Sequence, residues 1–267
     1  MKKFLSVFKI SLQQEFAYRL NFIMWRVRNV MQFFLVFFLW SSIFSDPSRI
    51  VFGYDKAKIL TYVFGILVIR AIVFSAKSDE VAKQIGLGEI STYLLKPINF
   101  FKYWFTRDIA SKVLNLAFGF FEIILLFFIL RPPFFFQGNP FYLLTFLISV
   151  VFAIMLYFLF NSLLNLSTFW MPEMGWAMQF LFVVVVTEFL SGAVFPLDIF
   201  PRVFQNVIYM LPFPYFVFFP LQIYLGKFSY EMVLNGLLIG GGWLIILYFT
   251  ICYIWSKGLK KYSAEGI

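Results

Sequence analysis

Between Met178 and Pro220 the sequence is almost wholly apolar, MQFLFVVVVTEFLSGAVFPLDIFPRVFQNVIYMLPFPYFVFFP, yet Ser191-Gly192, Pro196, Pro201, Pro212, Pro214 and Pro220 interrupt it. A plain membrane span needs about 20 apolar residues in one unbroken helix. Proline donates no backbone N–H and pushes the residue before it away from helical geometry. The stretch therefore predicts a helix to about Val194, a break at Phe195-Pro196, and short re-entrant or interfacial helices beyond. Non-helical backbone at membrane depth persists only inside protein or beside a wet cavity, which makes the break a candidate functional element.

The rest of the chain has the same character. Of its 267 residues 62% are hydrophobic and only 13% charged, which excludes a soluble domain and predicts an all-α polytopic membrane protein. A net charge of +9 fits basic cytoplasmic segments better than a nucleic-acid partner, and none is expected. There is no histidine, and the single cysteine, Cys252, lies in an apolar run. His-ligated metal sites, Ser-His-Asp and Cys-His catalysis and an internal disulfide are thus excluded by inventory. Lys9, Gln13, Gln14 and Glu15 interrupt any apolar signal segment, so a cleaved signal peptide is not expected.

Phe4, Val7, Phe8, Leu12 and Phe16 recur at helical spacing with Lys9, Gln13 and Glu15 elsewhere, predicting an N-terminal amphipathic helix in the interface. Six spans are predicted, at about 21–44, 59–75, 113–130, 141–164, 176–194 and 233–255, forming one transmembrane domain over 1–267 with a re-entrant segment between spans 5 and 6. Arg131-Pro132-Pro133 stops the third. The polar section from Ala76 to Lys112 predicts short helices. Fifteen of the 22 basic residues fall before span 1 proper, between Lys77 and Lys112, or in the tail, and six on the other side. By the positive-inside rule both termini and the 76–112 section are cytoplasmic, in the inner membrane of the cell.

Three ionisable residues fall inside predicted spans: Arg70, Glu122 and Glu188. An intramembrane charge costs roughly 2.5–3.5 kcal/mol on insertion scales and needs a partner or water. Arg70 is expected to snorkel inward or pair with Glu122, and Glu188, beyond its ready reach, to serve the break. Arg26 and Arg28 are expected to snorkel to the cytoplasmic surface. Gly236 and Gly240 form a small-xxx-small pair that suits close packing within the subunit. Gly86-Leu87-Gly88 lacks the strand and third glycine of a dinucleotide site, and Gly226-Lys227 has Leu221 and Phe228 where a P-loop needs Gly and Ser or Thr. The chain itself is expected to bind no nucleotide, metal or other cofactor.

Four pieces, in this order, carry a family likeness: Phe16-Ala17-Tyr18-Arg19; Gly88-Glu89-Ile90 with Leu94-Leu95-Lys96-Pro97; Ser191-Gly192, Phe195-Pro196-Leu197, Phe200-Pro201 and Leu211-Pro212-Phe213; and Gly258-Leu259-Lys260-Lys261-Tyr262-Ser263. The chain resembles the membrane subunits of ABC-2 type exporters, in particular the bacterial permease branch. The resemblance implies a half-transporter that pairs with a second permease, identical or related, and with ATP-binding subunits that carry ATP and Mg²⁺. It further implies that the segment after span 2 docks on the ATPase and that the broken stretch closes the outer mouth. Substrates across the family range over drugs, peptides, lipids and glycan-linked lipids.

Within that frame, Asp79, Glu80, Lys83, Glu89 and an apolar patch of Ile85, Leu87 and Ile90 are the candidate ATPase-coupling residues. Glu188, Ser191, Gly192, Pro196, Pro201 and Pro212 are the candidate outer gate, with Ser191-Gly192 as its hinge. Phe33, Phe34, Phe37, Phe38 and Trp40 of span 1 are expected to line, with span 5, a path for an amphipathic or lipid-like substrate or drug leaving the cytoplasm or inner leaflet. An intramembrane enzyme would need polar groups clustered at one depth. An ion-driven secondary transporter would break helices in both halves of an inverted repeat, whereas here only the second half is broken.

Overall fold

The computed structural model describes residues 2–262 apart from Tyr18, Pro47, Asp79, Glu173 and Met174. Helix α1 (Lys2–Ala17) runs into α2 (Arg19–Ile43), followed by α3 (Lys56–Val73), the short α4 (Glu80–Gly86) and α5 (Ile90–Leu94), and then the long α6 (Phe100–Leu130) and α7 (Pro140–Leu166). A helix over 175–190 comprises α8 (Gly175–Gln179), a π-helical stretch (Phe180–Val186) and α9 (Thr187–Leu190). After it come α10 (Arg202–Met210), α11 (Phe218–Tyr224) and α12 (Tyr230–Lys261). No named strand occurs among the described residues; Val51 and Tyr54 form one isolated bridge.

The helix ends have local causes. Asp55, Asn99, Asn139 and Ser229 sit just before α3, α6, α7 and α12 and accept a backbone N–H of the first turn. Pro140 takes the first position of α7, where its missing N–H costs nothing. At the other end of α6, Arg131 adopts a left-handed conformation before Pro132 ends the helix.

Among the described residues four helices are long and apolar enough to cross a membrane: Phe22–Ile43, Phe100–Leu130, Pro140–Phe169 and Tyr230–Lys261. The other two expected spans differ in kind. Helix α3 has 18 residues, about 27 Å at 1.5 Å each, carries Lys56, Lys58 and Arg70, and is the most deeply packed helix, with twelve buried residues. The stretch Ala177–Leu190 is short. Its π-helical part contains the valines at 183–186, where β-branched side chains crowd an α-helix, and Thr187 Oγ1 donates to Phe182 O at 2.7 Å across the widened turn.

Span 3 starts earlier than its apolar run. The helix begins at Phe100 rather than Val113 because Arg107, Asp108 and Lys112, which read as loop charges, are buried and partnered on it. Only α4 and α5 remain as the predicted short helices. The larger core surrounds α3, with Phe33, Phe37, Phe64, Tyr157, Phe216 and Leu221 among its members. A smaller one joins Val81, Ile85, Ile90, Trp104 and Phe169. Phe33, Phe37 and Trp40 therefore pack inward against the subunit rather than lining a path, while Phe34 is half-buried and Phe38 exposed. On α1 the face with Phe4, Val7, Phe8, Ser11, Leu12 and Glu15 is the packed one, whereas Phe16 is exposed.

Candidate functional site

The break lies at Ser191-Gly192, earlier than the expected Phe195-Pro196. Gly192 has φ 81°, a conformation that a Cβ disfavours. A Cβ there would also meet Tyr62 Oη at 2.8 Å and Phe218 Cβ at 2.9 Å. Ser191 O accepts Phe218 N–H at 2.9 Å, and Gly192 O accepts the Tyr62 hydroxyl at 2.7 Å. The turn is thus clamped on both sides, which is a seat for α11 and α3 rather than a free hinge. Beyond it the chain makes a 3₁₀ turn (Leu197–Ile199) after Pro196, starts α10 after Pro201, and makes a second 3₁₀ turn (Phe213–Phe216) after Pro212. Glycines on two neighbours make room for α11: a Cβ at Gly65 would overlap Leu221, and one at Gly236 would overlap the Phe219 ring.

A polar cluster that the sequence reading missed ties this segment down. Both Asp198 carboxylate oxygens lie 2.9–3.0 Å from Tyr54 Oη, and Lys227 Nζ donates to Asp198 Oδ2 at 2.5 Å and to Phe52 O at 3.0 Å. Gln222 on α11 donates to the Tyr54 hydroxyl. Three separate segments meet there. Burial, and then the Asp198 charge, push the Tyr54 phenol well above its usual value. Burial lowers the Lys227 ammonium, with Asp198 acting in the opposite direction.

Two ion pairs cross the helix bundle, in a pairing opposite to the one expected. Glu122 on α6 binds Arg26 of α2, with Nε at 2.6 Å and Nη2 at 2.5 Å. Arg70 on α3 pairs with Glu188 on α9 and donates to Gln32 Oε1 at 3.0 Å. Arg70 and Glu122 do not pair, and Arg26, 7% exposed, does not snorkel. Depth counted in residues from the span ends misplaces these charges because α6 extends far beyond its apolar run. Gly119, one turn from Glu122, leaves room for the guanidinium: a Cβ there would lie 3.2 Å from Arg26 Nη2.

At the cytoplasmic end predicted from charge, the elbow between α3 and α4 is clamped. Asp108 on α6 accepts the backbone N–H groups of Lys77 at 2.6 Å and Ser78 at 2.8 Å, and Asn161 and Asn165 of α7 donate to Ser78 Oγ and O. Lys112 Nζ donates to Val73 O and Ser75 O at the end of α3. Asn161 and Asn165, four apart and the only amide side chains on α7, are the signal available in the sequence. Arg107 pairs with Glu80 at 3.0 Å, and Lys77 with Glu15 at 3.1 Å.

Of the coupling candidates, Lys83, Leu87 and Glu89 are exposed and Glu80 is half-buried. Asp79 lies outside the described residues. Ile85 and Ile90 are buried in the smaller core and present no patch; the exposed apolar residues there are Leu87, Leu94 and Leu95.

A sequence model described as ABC-2 family transporter protein matches residues 30–266, nearly the whole chain. The chain belongs to the ABC-2 transporter family. No curated protein matches the sequence. The ABC-2 membrane subunit is a transport component and not itself the ATPase, and subunits of this family associate with ABC ATP-binding subunits. The multi-pass apolar architecture agrees with that membership.

Proposed function

We propose that this chain is the permease of an ATP-driven exporter, moving an amphipathic or lipid-like substrate or drug out of the cytoplasm or inner leaflet and paired with a second permease copy or a related one. In this reading α3 and the helix over 175–190 complete six spans, with both termini cytoplasmic in the inner membrane. Residues 191–224 form a re-entrant plug at the outer mouth. The partner ATPase binds ATP and Mg²⁺. Both carboxylates of the expected spans are engaged in ion pairs, Glu122 with Arg26 and Glu188 with Arg70, which supports this over an intramembrane enzyme.

The observation that carries it is the elbow. A loop that only joined two spans would have no need of a buried carboxylate holding two of its amides, yet Asp108 fixes 77–78 to α6 while α4 and α5 present Leu87, Leu94 and Leu95 outward. Exposed apolar anchors on a rigid base suit docking of a partner, with Lys83 and Glu89 as rim charges. Movement of the ATPase would thereby reach α3, α6 and α7, and through Arg70 and Glu188 the helix that leads to the plug. The test is crosslinking: Leu87→Cys and Leu95→Cys in the full chain should crosslink to the co-purified ATP-binding subunit, and Ile50→Cys should not. Crosslinking at Ile50 alone would overturn the assignment.

A further inference from the structure

Arg28 is the charge on α2 that the two ion pairs leave out. It lies six residues inside the apolar span that begins at Phe22, about 9 Å along the axis at 1.5 Å per residue. It is exposed and, among the described residues, makes no ion pair and no hydrogen bond. Its guanidinium rests 4.8 Å from the centroid of the Trp25 ring, one turn back toward the start of the helix. One turn further on, Gln32 Oε1 accepts from Arg70, while Gln32 Nε2 donates no hydrogen bond among the described residues.

Arg70 is near enough for the Arg28 charge to act on it, and Glu188 is already engaged by Arg70. Two guanidinium groups therefore share one carboxylate, which leaves one positive charge uncompensated. A charge inside a span ordinarily turns to the protein interior or pairs, and Arg28 does neither. Arg28, Gln32, Leu35 and Leu39 follow one another at spacings of four, three and four, so they lie on one face of α2, and both leucines are exposed. That face is cationic and donor-rich at one end and apolar along the rest. A purely apolar neighbour would leave the charge unmet and a cation would be repelled, whereas an anionic head on a hydrocarbon tail matches both ends.

We infer that this face of α2 binds an anionic phospholipid. The planar fork of Arg28 takes the phosphate, Gln32 Nε2 adds a donor, and the acyl chains run along Leu35 and Leu39. With the termini cytoplasmic the lipid comes from the inner leaflet. That choice of leaflet alone rests on the orientation proposed above; the headgroup chemistry stands on α2 and holds whether or not an ATPase drives the chain.

The test uses the full chain in detergent micelles without any ATPase, titrated with dioleoylphosphatidylglycerol or dioleoylphosphatidylcholine and read by native mass spectrometry for the first lipid bound. The anionic lipid should bind more tightly. Arg28→Gln should weaken its binding about fivefold, the factor equivalent to about 1 kcal/mol for one basic residue at an anionic membrane surface. The unfolding midpoint and the binding of phosphatidylcholine should stay unchanged. Lys9→Gln removes the same charge from an exposed position on α1 and should leave the affinity near that of the parent. Equal affinity of the parent for the two lipids would overturn the proposal. So would an equal loss in Lys9→Gln, which would make the attraction one of net charge. Displacement of the lipid by inorganic phosphate would reassign Arg28 to a free anion, and disulfide formation between two copies of Leu35→Cys in a Cys252→Ser background would give the face to a second chain; either result overturns the lipid assignment.

Discussion

Replacing Glu188 by alanine leaves the buried Arg70 guanidinium, 8% exposed, with a hydrogen bond to Gln32 and the Phe74 ring beside it but without its carboxylate. Removing one partner of a buried ion pair costs about 3–5 kcal/mol, because the other charge stays buried without compensation. Set against the roughly 5–15 kcal/mol that holds a typical domain together, that is a large share. Glu188 is 12% exposed, so little solvent relieves the loss. Replacing both partners by apolar residues of similar volume, Arg70→Met with Glu188→Leu, removes the desolvation penalty with the attraction and should leave stability near or above that of the parent. The assay is unfolding of the full chain in mixed micelles by titrated dodecyl sulfate, followed by fluorescence of its seven tryptophans. The two single changes should each lower the midpoint strongly, and the double change should depart from their sum by at least about 3 kcal/mol. A double variant as destabilised as the sum of the singles would refute the pairing and return Glu188 to an independent role at the break.

The raised Tyr54 phenol gives a pH signature. The folded chain keeps this proton above pH 10 while the unfolded chain loses it, so its contribution is full below about pH 10 and falls by up to about 1.4 kcal/mol per pH unit as pH rises beyond it. Tyr54→Phe should flatten that slope in the same unfolding assay, and an unchanged slope would contradict the assigned burial. The glycines of α12 should separate sharply: Gly236→Ala meets the Phe219 ring and should cost about 1–3 kcal/mol, whereas Gly242, with nothing within 4 Å of a Cβ, should gain up to about 1 kcal/mol from helix propensity on change to alanine. A destabilised Gly242→Ala alongside a neutral Gly236→Ala would place the close approach on the wrong face.

Much of this was legible in the residues. The stop at Arg131-Pro132-Pro133, the N-terminal amphipathic helix, the tight packing at Gly236 and the interrupted helix before Pro196 all follow from backbone chemistry that acts locally. What was not legible depends on where helices lie against one another. Which carboxylate meets which arginine is set by tilt and depth, and residue counting from apolar borders misplaced them once Arg107, Asp108 and Lys112 proved to be inside a helix. The same cause hid the orientation of α4 and α5: Ile85 and Ile90 face the Phe100–Trp104 core, while Leu87, Leu94 and Leu95, isomers of isoleucine and similarly apolar, face outward. Asp198 and Lys227 read as ordinary loop charges because Tyr54, which gathers them, is more than 140 residues away from either in the chain.

The most direct test of the central claim is reconstitution of the full chain into liposomes with and without the ATP-binding subunit that co-purifies with it. Together they should give vanadate-sensitive ATP turnover and ATP-dependent movement of an amphipathic substrate. Leu95→Asp should abolish both while leaving the unfolding midpoint unchanged, because Leu95 is 86% exposed. Movement driven by an ion gradient with no ATP-binding subunit present would contradict the account.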